Sequence, residues 1–290
     1  MSRLMAAQKW QLIFLATCLV FLLLDDRIIL EVFKSKEKSR RFDPVLQATL
    51  ENIKILCFST FGSNNTKQAI RNTWGKRCDS LELFPDETGF FDVKLRSREN
   101  LDMELFRKIY QNNFSKADWF FYIPQDVFVI LENARLALAK KDPETPYLIG
   151  SINHGEKLAF LAISGGFIMS RTALKYIVNG LNQGKWETKI KGSKDIEFTR
   201  FLNGLGIRTE DSVDQFGKKR FLPYGLDHLQ LGNSSSMFRK YFAENKNVSD
   251  VTFSSTTVAI SGVDHDLLYV LDYFFYKIRP HGIQLLEKSL

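Results

Sequence analysis

The chain has 290 residues and a formal net charge of +7, with 44% hydrophobic residues and 25 phenylalanines. This length suits one large domain or two small ones, and the many large apolar side chains indicate a substantial core. The basic residues are mostly scattered rather than arranged in a stripe, so the composition argues against a nucleic-acid-binding protein.

The N-terminal region contains an uncharged apolar segment of fifteen residues at positions 10–24. A full membrane span usually needs roughly 20 apolar residues, so the segment is short. A cleaved signal peptide is the alternative, but no pair of small residues follows that would mark a cleavage site. We therefore predict a signal anchor at residues 10–30, a cytoplasmic tail at 1–9 and a single-pass type II protein. The basic residues at 34–41 oppose this orientation, because positive charges favour the cytoplasm.

The remaining chain is predicted to comprise a stem at residues 31–50, a lumenal domain at 51–282 and a C-terminal tail at 283–290. Cys57 and Cys78 are the only cysteines outside the anchor. In an oxidising compartment they either form a disulfide or remain two buried thiols. The lumenal location is also favoured by glycosylation sequons, which lie at Asn64, Asn113, Asn233 and Asn247.

Strands and helices are predicted from the spacing of apolar residues. Short apolar runs predict buried strands at 53–60, 119–123 and 147–152. Helical spacing predicts helices at 66–76 and 101–114, one that follows 127–130 and ends before Pro143, and others at 170–181, 195–205 and 264–278. Because strands alternate with helices in the first half, we expect an α/β fold with a mainly parallel sheet flanked by helices.

In a mainly parallel sheet, the ligand site lies beyond the carboxyl ends of the strands. The strand at 119–123 delivers Pro124, Gln125 and Asp126 to that edge. Carboxylate oxygens there could hold Mn²⁺ or Mg²⁺ against the diphosphate of a nucleotide sugar. Asp126 is therefore the candidate metal ligand, and the alternative is an aspartate that stabilises a turn or caps a helix.

Several motifs together resemble the core 1 β1,3-galactosyltransferase family, which includes its Cosmc-like chaperone relatives. They are ILCFST at Ile55, RNTWGKRCD at Arg71, DWFF at Asp118, DVFVILEN at Asp126, KKDPETPYLIG at Lys140, SGGFIMS at Ser164, KDIEFTRFL at Lys194 and YFFYKIRPHG at Tyr273. Their order and spacing extend the resemblance over residues 55–282.

The resemblance implies a GT-A glycosyltransferase fold in the Golgi or endoplasmic reticulum membrane. Active family members transfer galactose from UDP-galactose to GalNAc on serine or threonine of glycoproteins, with Mn²⁺ and inversion. The resemblance also implies that Cys57 and Cys78 are bonded, and it places Trp74, Gly165 and Gly166 near the donor or acceptor cleft. Alternatively, Trp74 belongs to the core and the two glycines only permit close backbone packing.

The sequence departs from the family at its metal and base motifs. The family's triple aspartate falls on Pro124-Gln125-Asp126, and its late metal-binding histidine falls on Ser261. The Glu-Asp pair that supplies the base becomes Lys194-Asp195. Asp195 remains the candidate catalytic base, and the alternative is that it caps the following helix. We expect Lys194 to lower the pKa of Asp195.

Three functions are compatible with these departures. The favoured one is a catalytically impaired, Cosmc-like partner or chaperone of an active galactosyltransferase in mucin-type O-glycosylation. The second is a divergent active β1,3-galactosyltransferase that uses Asp126 and Asp195, with UDP-galactose as donor and with weaker or absent dependence on Mn²⁺. The third is a lumenal glycan-binding module. The expected partners are the membrane, a GalNAc-bearing glycoprotein or a related galactosyltransferase, and a second copy of the chain in a dimer.

Overall fold

The computed structural model describes residues 44–86, 99–154, 159–186, 194–223, 225 and 254–278. The chain divides into two compact units, Met1–Thr49 and Leu50–Leu290. The described part of the first unit is the beginning of helix α1 (Pro44–Asn52). The predicted cytoplasmic tail, anchor and C-terminal tail lie outside the described residues, as does most of the predicted stem. Within the described ranges, no helix has the length and apolar character needed to span a bilayer.

The second unit contains a sheet of six strands, numbered here in chain order. They are β1 (Ile55–Phe61), β2 (Ser80–Pro85), β3 (Trp119–Tyr122), β5 (Tyr147–Gly150), β8 (Phe167–Ser170) and β9 (Arg208–Asp211), in the spatial order β2-β1-β3-β8-β5-β9. β1 pairs in parallel with β2 and β3, and β5 pairs in parallel with β9. β8 lies antiparallel between β3 and β5. The predicted mainly parallel sheet is therefore confirmed, with β8 as the one reversed strand.

Two smaller sheets accompany the main one. One consists of β4 (Val127–Val129), β10 (Phe221–Leu222) and β11 (Ala259–Ser261), and the other pairs β6 (Ile152–His154) with β7 (Ala159–Leu161). Residues 127–129 form a strand through antiparallel pairing with Ala259–Ser261, which the sequence did not predict. The helix predicted to follow residues 127–130 is confirmed and begins at Leu131.

Among the described residues of the second unit, six helices cover the two faces of the main sheet. They are α2 (Asn64–Asn72), α3 (Glu99–Asn113), α4 (Leu131–Leu138), α5 (Arg171–Asn182), α6 (Lys194–Gly204) and α7 (His265–Tyr276). Buried residues of α2, α4 and α7 pack on one face, and those of α3, α5 and α6 pack on the other. Helices flanking the sheet are therefore confirmed.

Local capping explains where some of these helices begin. The predicted cap of α5 is confirmed, since the Ser170 hydroxyl accepts a hydrogen bond from the amide of Ala173. Ser63 caps α2 in the same way. The helix predicted at 66–76 ends earlier, at Asn72, and is followed by a 3₁₀ turn at Trp74–Arg77.

The predicted disulfide between Cys57 and Cys78 is confirmed. It joins β1 to the segment after the Trp74–Arg77 turn. Asp79 strengthens the same connection, because its carboxylate accepts hydrogen bonds from the amide of Ile55 and from Arg135, both at 2.8 Å. One covalent bond and two charge-assisted hydrogen bonds therefore fix this turn against the sheet and α4.

The sequons differ in their surroundings. Asn64 is exposed at the first position of α2. Asn113 is only 3% exposed, and its side-chain oxygen accepts a hydrogen bond from Lys116 at 2.6 Å. The Asn113 side chain is thus buried and hydrogen-bonded in the folded chain, and a glycan at this sequon stays a prediction. Asn233 and Asn247 lie outside the described residues.

Candidate functional site

The candidate site lies at one edge of the main sheet, where β1 and β3 end and the reversed strand β8 begins. Gly62 and Ser63 follow β1, and residues 124–126 follow β3. Gly165 and Gly166 directly precede β8. The topology therefore brings the 124–126 motif and the Gly165-Gly166 pair to the same edge, as expected for a ligand site in an α/β protein.

A short 3₁₀ turn, Ile163–Gly165, connects the remaining candidate residues. The amide of Ile163 donates a hydrogen bond to the carboxylate of Asp195 at 3.3 Å. The hydroxyl of Ser261 donates to the carbonyl of Ser164 at 2.9 Å. Asp195 from α6 and Ser261 from β11 are thus bound to adjacent residues of one turn.

The Gly165-Gly166 pair permits close packing at this turn. A Cβ atom at Gly165 would lie 3.2 Å from the Cβ of Pro223. Gly166 has φ +72°, and a Cβ there would lie 2.9 Å from the carbonyl oxygen of Tyr122. Gly166 therefore requires glycine, and Gly165 leaves little room for a larger side chain, which supports the close-packing alternative. Contact of either glycine with a substrate stays a prediction.

Asp126 and Ser261 are neighbours at one end of the three-stranded sheet formed by β10, β11 and β4. Ser261 pairs in register with Val127, and the amide of Val263 donates to the carbonyl of Asp126 at 2.9 Å. The two positions at which the resemblance implies metal ligands are therefore brought together, although 135 residues of sequence (261 − 126) separate them.

The residues at these positions do not fit a Mn²⁺ ion. The side-chain oxygen of Gln125 already accepts a hydrogen bond from the amide of Gly62 at 2.7 Å. The Ser261 hydroxyl is engaged with Ser164, and Pro124 has no side-chain ligand atom. Asp126 is the one carboxylate of this set, and the described residues contain no cluster of three His, Cys, Asp or Glu side chains suited to a metal. Mn²⁺ prefers several oxygen or imidazole ligands, so the site lacks the donors it needs.

The contact between Gln125 and Gly62 was not predicted from the sequence. It joins the loop after β1 to the loop after β3, which are adjacent parallel strands. One feature of the sequence could have indicated this contact. Gly62 and Gln125 each follow a predicted strand, and parallel strands that are neighbours in a sheet end at the same edge. Gln125 thus lies at a position where a metal ligand is expected, and its side chain instead forms a hydrogen bond that connects two loops.

Asp126 is exposed, yet protein atoms on several sides displace water from its carboxyl group. This partial desolvation raises the pKa of Asp126, and a hydrogen bond from its own backbone amide acts in the opposite direction.

Asp195 departs from two expectations, namely that it caps the following helix and that its pKa is lowered. It lies within the first turn of α6, which begins at Lys194, so it does not cap that helix. Burial raises the pKa of Asp195, and the hydrogen bond from Ile163 partly offsets this effect. The expectation that Lys194 lowers the pKa is wrong, because desolvation of the carboxylate is the larger effect.

The raised pKa of Asp195 predicts a pH-dependent stability. Below a pH near 3.8, the ordinary pKa of aspartate in the unfolded chain, the carboxyl is protonated in both the folded and the unfolded state. Its burial then does not lower the free energy of unfolding. As the pH rises through the folded pKa, the unfolded state is favoured and stability is lost. Asp195→Asn keeps a hydrogen-bond acceptor for Ile163 without titrating. We expect its free energy of unfolding to fall less than that of the wild type between pH 3.5 and 7, measured by urea unfolding. A parallel loss in both proteins would contradict the prediction.

Trp74 is fully buried in the core, beside Ile70 and Cys57, so the core alternative is confirmed. Its indole nitrogen has no hydrogen-bond partner among the described residues. Contact of Trp74 with a donor or acceptor stays a prediction.

Comparison with known proteins identifies one informative relative. No protein-family model matches the chain. The chain is 22% identical over 251 residues to glycoprotein-N-acetylgalactosamine 3-beta-galactosyltransferase 1 of Xenopus laevis, covering 81% of this chain and 69% of the relative. The resemblance to the core 1 β1,3-galactosyltransferase family is confirmed. Among solved structures, a glycosyltransferase involved in glycosylation of the major capsid of PBCV-1 matches with a TM-score of 0.41 and 10% identity, covering 76% of this chain and 99% of that chain.

Proposed function

We propose that the chain is a GT-A-type member of the core 1 galactosyltransferase family that lacks manganese-dependent galactosyl transfer. In this proposal it acts in mucin-type O-glycosylation as a Cosmc-like partner or chaperone of an active galactosyltransferase. The relationship to a galactosyltransferase supports the glycosyltransferase origin. The impaired activity is supported by the engagement of Gln125 and Ser261 in internal hydrogen bonds at the positions where metal ligands are expected.

In galactosyl transfer the nucleotide diphosphate of the donor departs as the leaving group. A bound cation would have to neutralise the charge that develops on the leaving nucleotide. Asp126 alone leaves most of the coordination shell to water, so its affinity for the cation is low. The scaffold around it remains intact, since Asp195, Ser261 and the glycine pair are held at one turn. A preserved fold without a competent metal site suits a protein that recognises a relative rather than one that transfers sugar.

We also propose residence in the endoplasmic reticulum or Golgi membrane as a single-pass type II protein anchored by residues 10–30. The Cys57–Cys78 disulfide supports a lumenal location, because such bonds persist in oxidising compartments. Exposure of the Asn64 sequon is compatible with the same location.

The full-length chain, purified in detergent, tests the activity with UDP-galactose, Mn²⁺ and a GalNAc-α-aryl acceptor. We expect no manganese-dependent turnover. We also expect co-expression of the chain with an active core 1 galactosyltransferase to raise the yield of active enzyme several-fold, measured as galactose transfer per cell. Manganese-dependent turnover that Asp126→Ala abolishes would contradict the proposal. An unchanged yield of active enzyme would contradict the chaperone role in particular.

A second candidate function is an active inverting β1,3-galactosyltransferase with UDP-galactose as donor. It is favoured by Asp195, whose raised pKa makes the carboxylate a stronger proton acceptor. In that case Asp195 would take the proton of the acceptor hydroxyl. Turnover of UDP-galactose that Asp195→Asn abolishes, and that persists when no metal is added, would favour this candidate.

A further inference from the structure

A cavity of about 500 Å³ lies between α4, α7 and the three-stranded sheet. Its apolar wall consists of Ile130 just before α4, Leu222 in β10, Ile260 in β11, and Leu271 and Phe275 in α7. None of the candidate site residues lines it. Cavities of this volume with mainly apolar walls are typical of small-molecule binding sites.

The cavity is separate from the candidate functional site. Successive side chains of a strand point to opposite sides. Ile260 lines the cavity, whereas the next residue, Ser261, donates its hydrogen bond to the candidate turn. Leu222 lines the cavity as well, and the next residue, Pro223, packs against Gly165. The cavity and the candidate turn therefore lie on different sides of β10 and β11.

The polar groups of the cavity wall are largely engaged within the protein. The side-chain amide of Asn133 donates a hydrogen bond to the carbonyl of Thr257, and the Thr257 hydroxyl donates to the carbonyl of Ser254, both at 2.7 Å. The hydroxyl of Tyr276 donates to Glu132 at 2.7 Å. A ligand rich in hydrogen-bonding atoms would therefore lose its bonds to water without gaining equivalent partners here.

The two aromatic rings that border the cavity are also partly occupied. Phe275 stacks on Phe128 with a centroid distance of 5.7 Å. The guanidinium group of Arg77 lies 3.3 Å from the centroid of the Tyr276 ring. One face of each ring is thus covered by protein, and the rest of the apolar wall is aliphatic. A planar aromatic ligand depends on ring faces, whereas a flexible aliphatic chain can follow branched side chains.

We propose that this cavity binds the acyl chain of an uncharged single-chain lipid, of the monoacylglycerol class. The chain lies along the aliphatic wall, where its burial provides the favourable free energy. The polar head lies at Ser255, an exposed residue of the cavity wall. The side-chain oxygen of Asn133 has no partner among the described residues and accepts a hydrogen bond from a hydroxyl of the head.

The absence of charge in the described cavity wall sets the chemistry of the head. Its lining residues include no lysine, arginine or histidine. A carboxylate head would therefore be taken from water without a positive partner, whereas a hydroxyl-bearing head requires only hydrogen bonds. The proposed lipid site requires neither sugar transfer nor a partner galactosyltransferase, so its failure would leave the proposed function unaffected.

Photochemical cross-linking tests the proposal. The full-length chain is held in an amphipathic polymer and irradiated with a monoacylglycerol that carries a diazirine in its acyl chain. We expect labelled peptides from residues 254–260 and 271–276, located by mass spectrometry. Unlabelled monoacylglycerols should compete about fourfold more strongly for each added methylene, until the chain fills the cavity. Labelling elsewhere only, or competition that increases with chain length without a limit, would overturn the proposal.

The head is tested with a fatty acid of the same chain length. We expect it to compete at least tenfold more weakly than the monoacylglycerol at pH 7, because its carboxylate finds no positive partner in the cavity wall. Equal or stronger competition by the fatty acid would contradict the assignment of an uncharged head.

Leu271→Trp fills the cavity from α7, and we expect it to reduce labelling more than tenfold. Val270→Trp is the matched control, since it adds an equally large ring at the next position of the helix, which does not line the cavity. Its labelling should equal that of the wild type. Leu271→Phe adds less volume and should give an intermediate loss, with a urea unfolding midpoint that shows an intact fold. Labelling that both Leu271 variants leave unchanged would show that the lipid binds elsewhere.

Discussion

Trp74→Ala is expected to lower the free energy of unfolding by about 3–5 kcal/mol. Trp74 is the first residue of the 3₁₀ turn that follows α2, and its ring is fully buried in the core. Replacement by alanine removes the packing of the ring and leaves a cavity that the disulfide-linked segment cannot easily close. The measurement is urea unfolding followed by circular dichroism.

Trp74→Phe is the matched control for this variant. It retains an aromatic ring and removes the indole nitrogen, which has no partner among the described residues. We expect a much smaller loss of stability than for Trp74→Ala. An unchanged unfolding midpoint for Trp74→Ala, together with lost binding of UDP-galactose, would instead assign the ring to a ligand site.

Removal of the disulfide by Cys57→Ala with Cys78→Ala is expected to lower the free energy of unfolding by about 3 kcal/mol. The two cysteines are 21 residues apart in the sequence, so the bond closes a loop of that length. The closed loop reduces the conformational entropy of the unfolded chain, and this reduction stabilises the folded state. Cys57 is also fully buried in β1, and alanine there leaves a small cavity. The unfolding midpoint in urea, compared with that of the wild type, measures the effect.

Two controls isolate the bond itself. A reductant should lower the midpoint of the wild type and leave that of the double variant unchanged. Cys18→Ser, which changes the third cysteine of the chain, should behave like the wild type under both conditions. Equal midpoints for the wild type and the double variant would show that the bond contributes no stability.

Much of the fold could be predicted because local patterns fix the buried elements. The apolar runs at 53–60 and 119–123 predicted two central strands, which the structure has at Ile55–Phe61 and Trp119–Tyr122, and Ser170 predicted the start of α5. The strand at residues 127–129 was not predicted, because so short an apolar run does not by itself distinguish a strand from other buried segments. Their partner strand, Ala259–Ser261, lies more than 100 residues away, and only the folded chain brings it close.

The candidate site shows the same division between local and distant information. The sequence identified Asp126, Asp195 and Ser261 as the positions that matter, through their place in family motifs. It could not establish that Gln125 bonds Gly62, or that Asp195 and Ser261 bind adjacent residues of one turn. The pKa of Asp195 was expected to fall because its neighbour in sequence is a lysine. It rises instead, because burial depends on residues that surround the carboxyl in space.

The sequence by itself determined the class of fold through its apolar periodicity. Its motifs also carry the resemblance to galactosyltransferases, which implies that two aspartates and a histidine of the metal motifs are replaced here. Periodicity and motifs are both local properties of the chain. Only the tertiary structure decided which replacement residues are engaged in internal hydrogen bonds, which sequon is buried and which side chains line the cavity between α4 and α7. Those properties depend on distances between residues far apart in the chain, and packing fixes such distances only after the whole chain has folded.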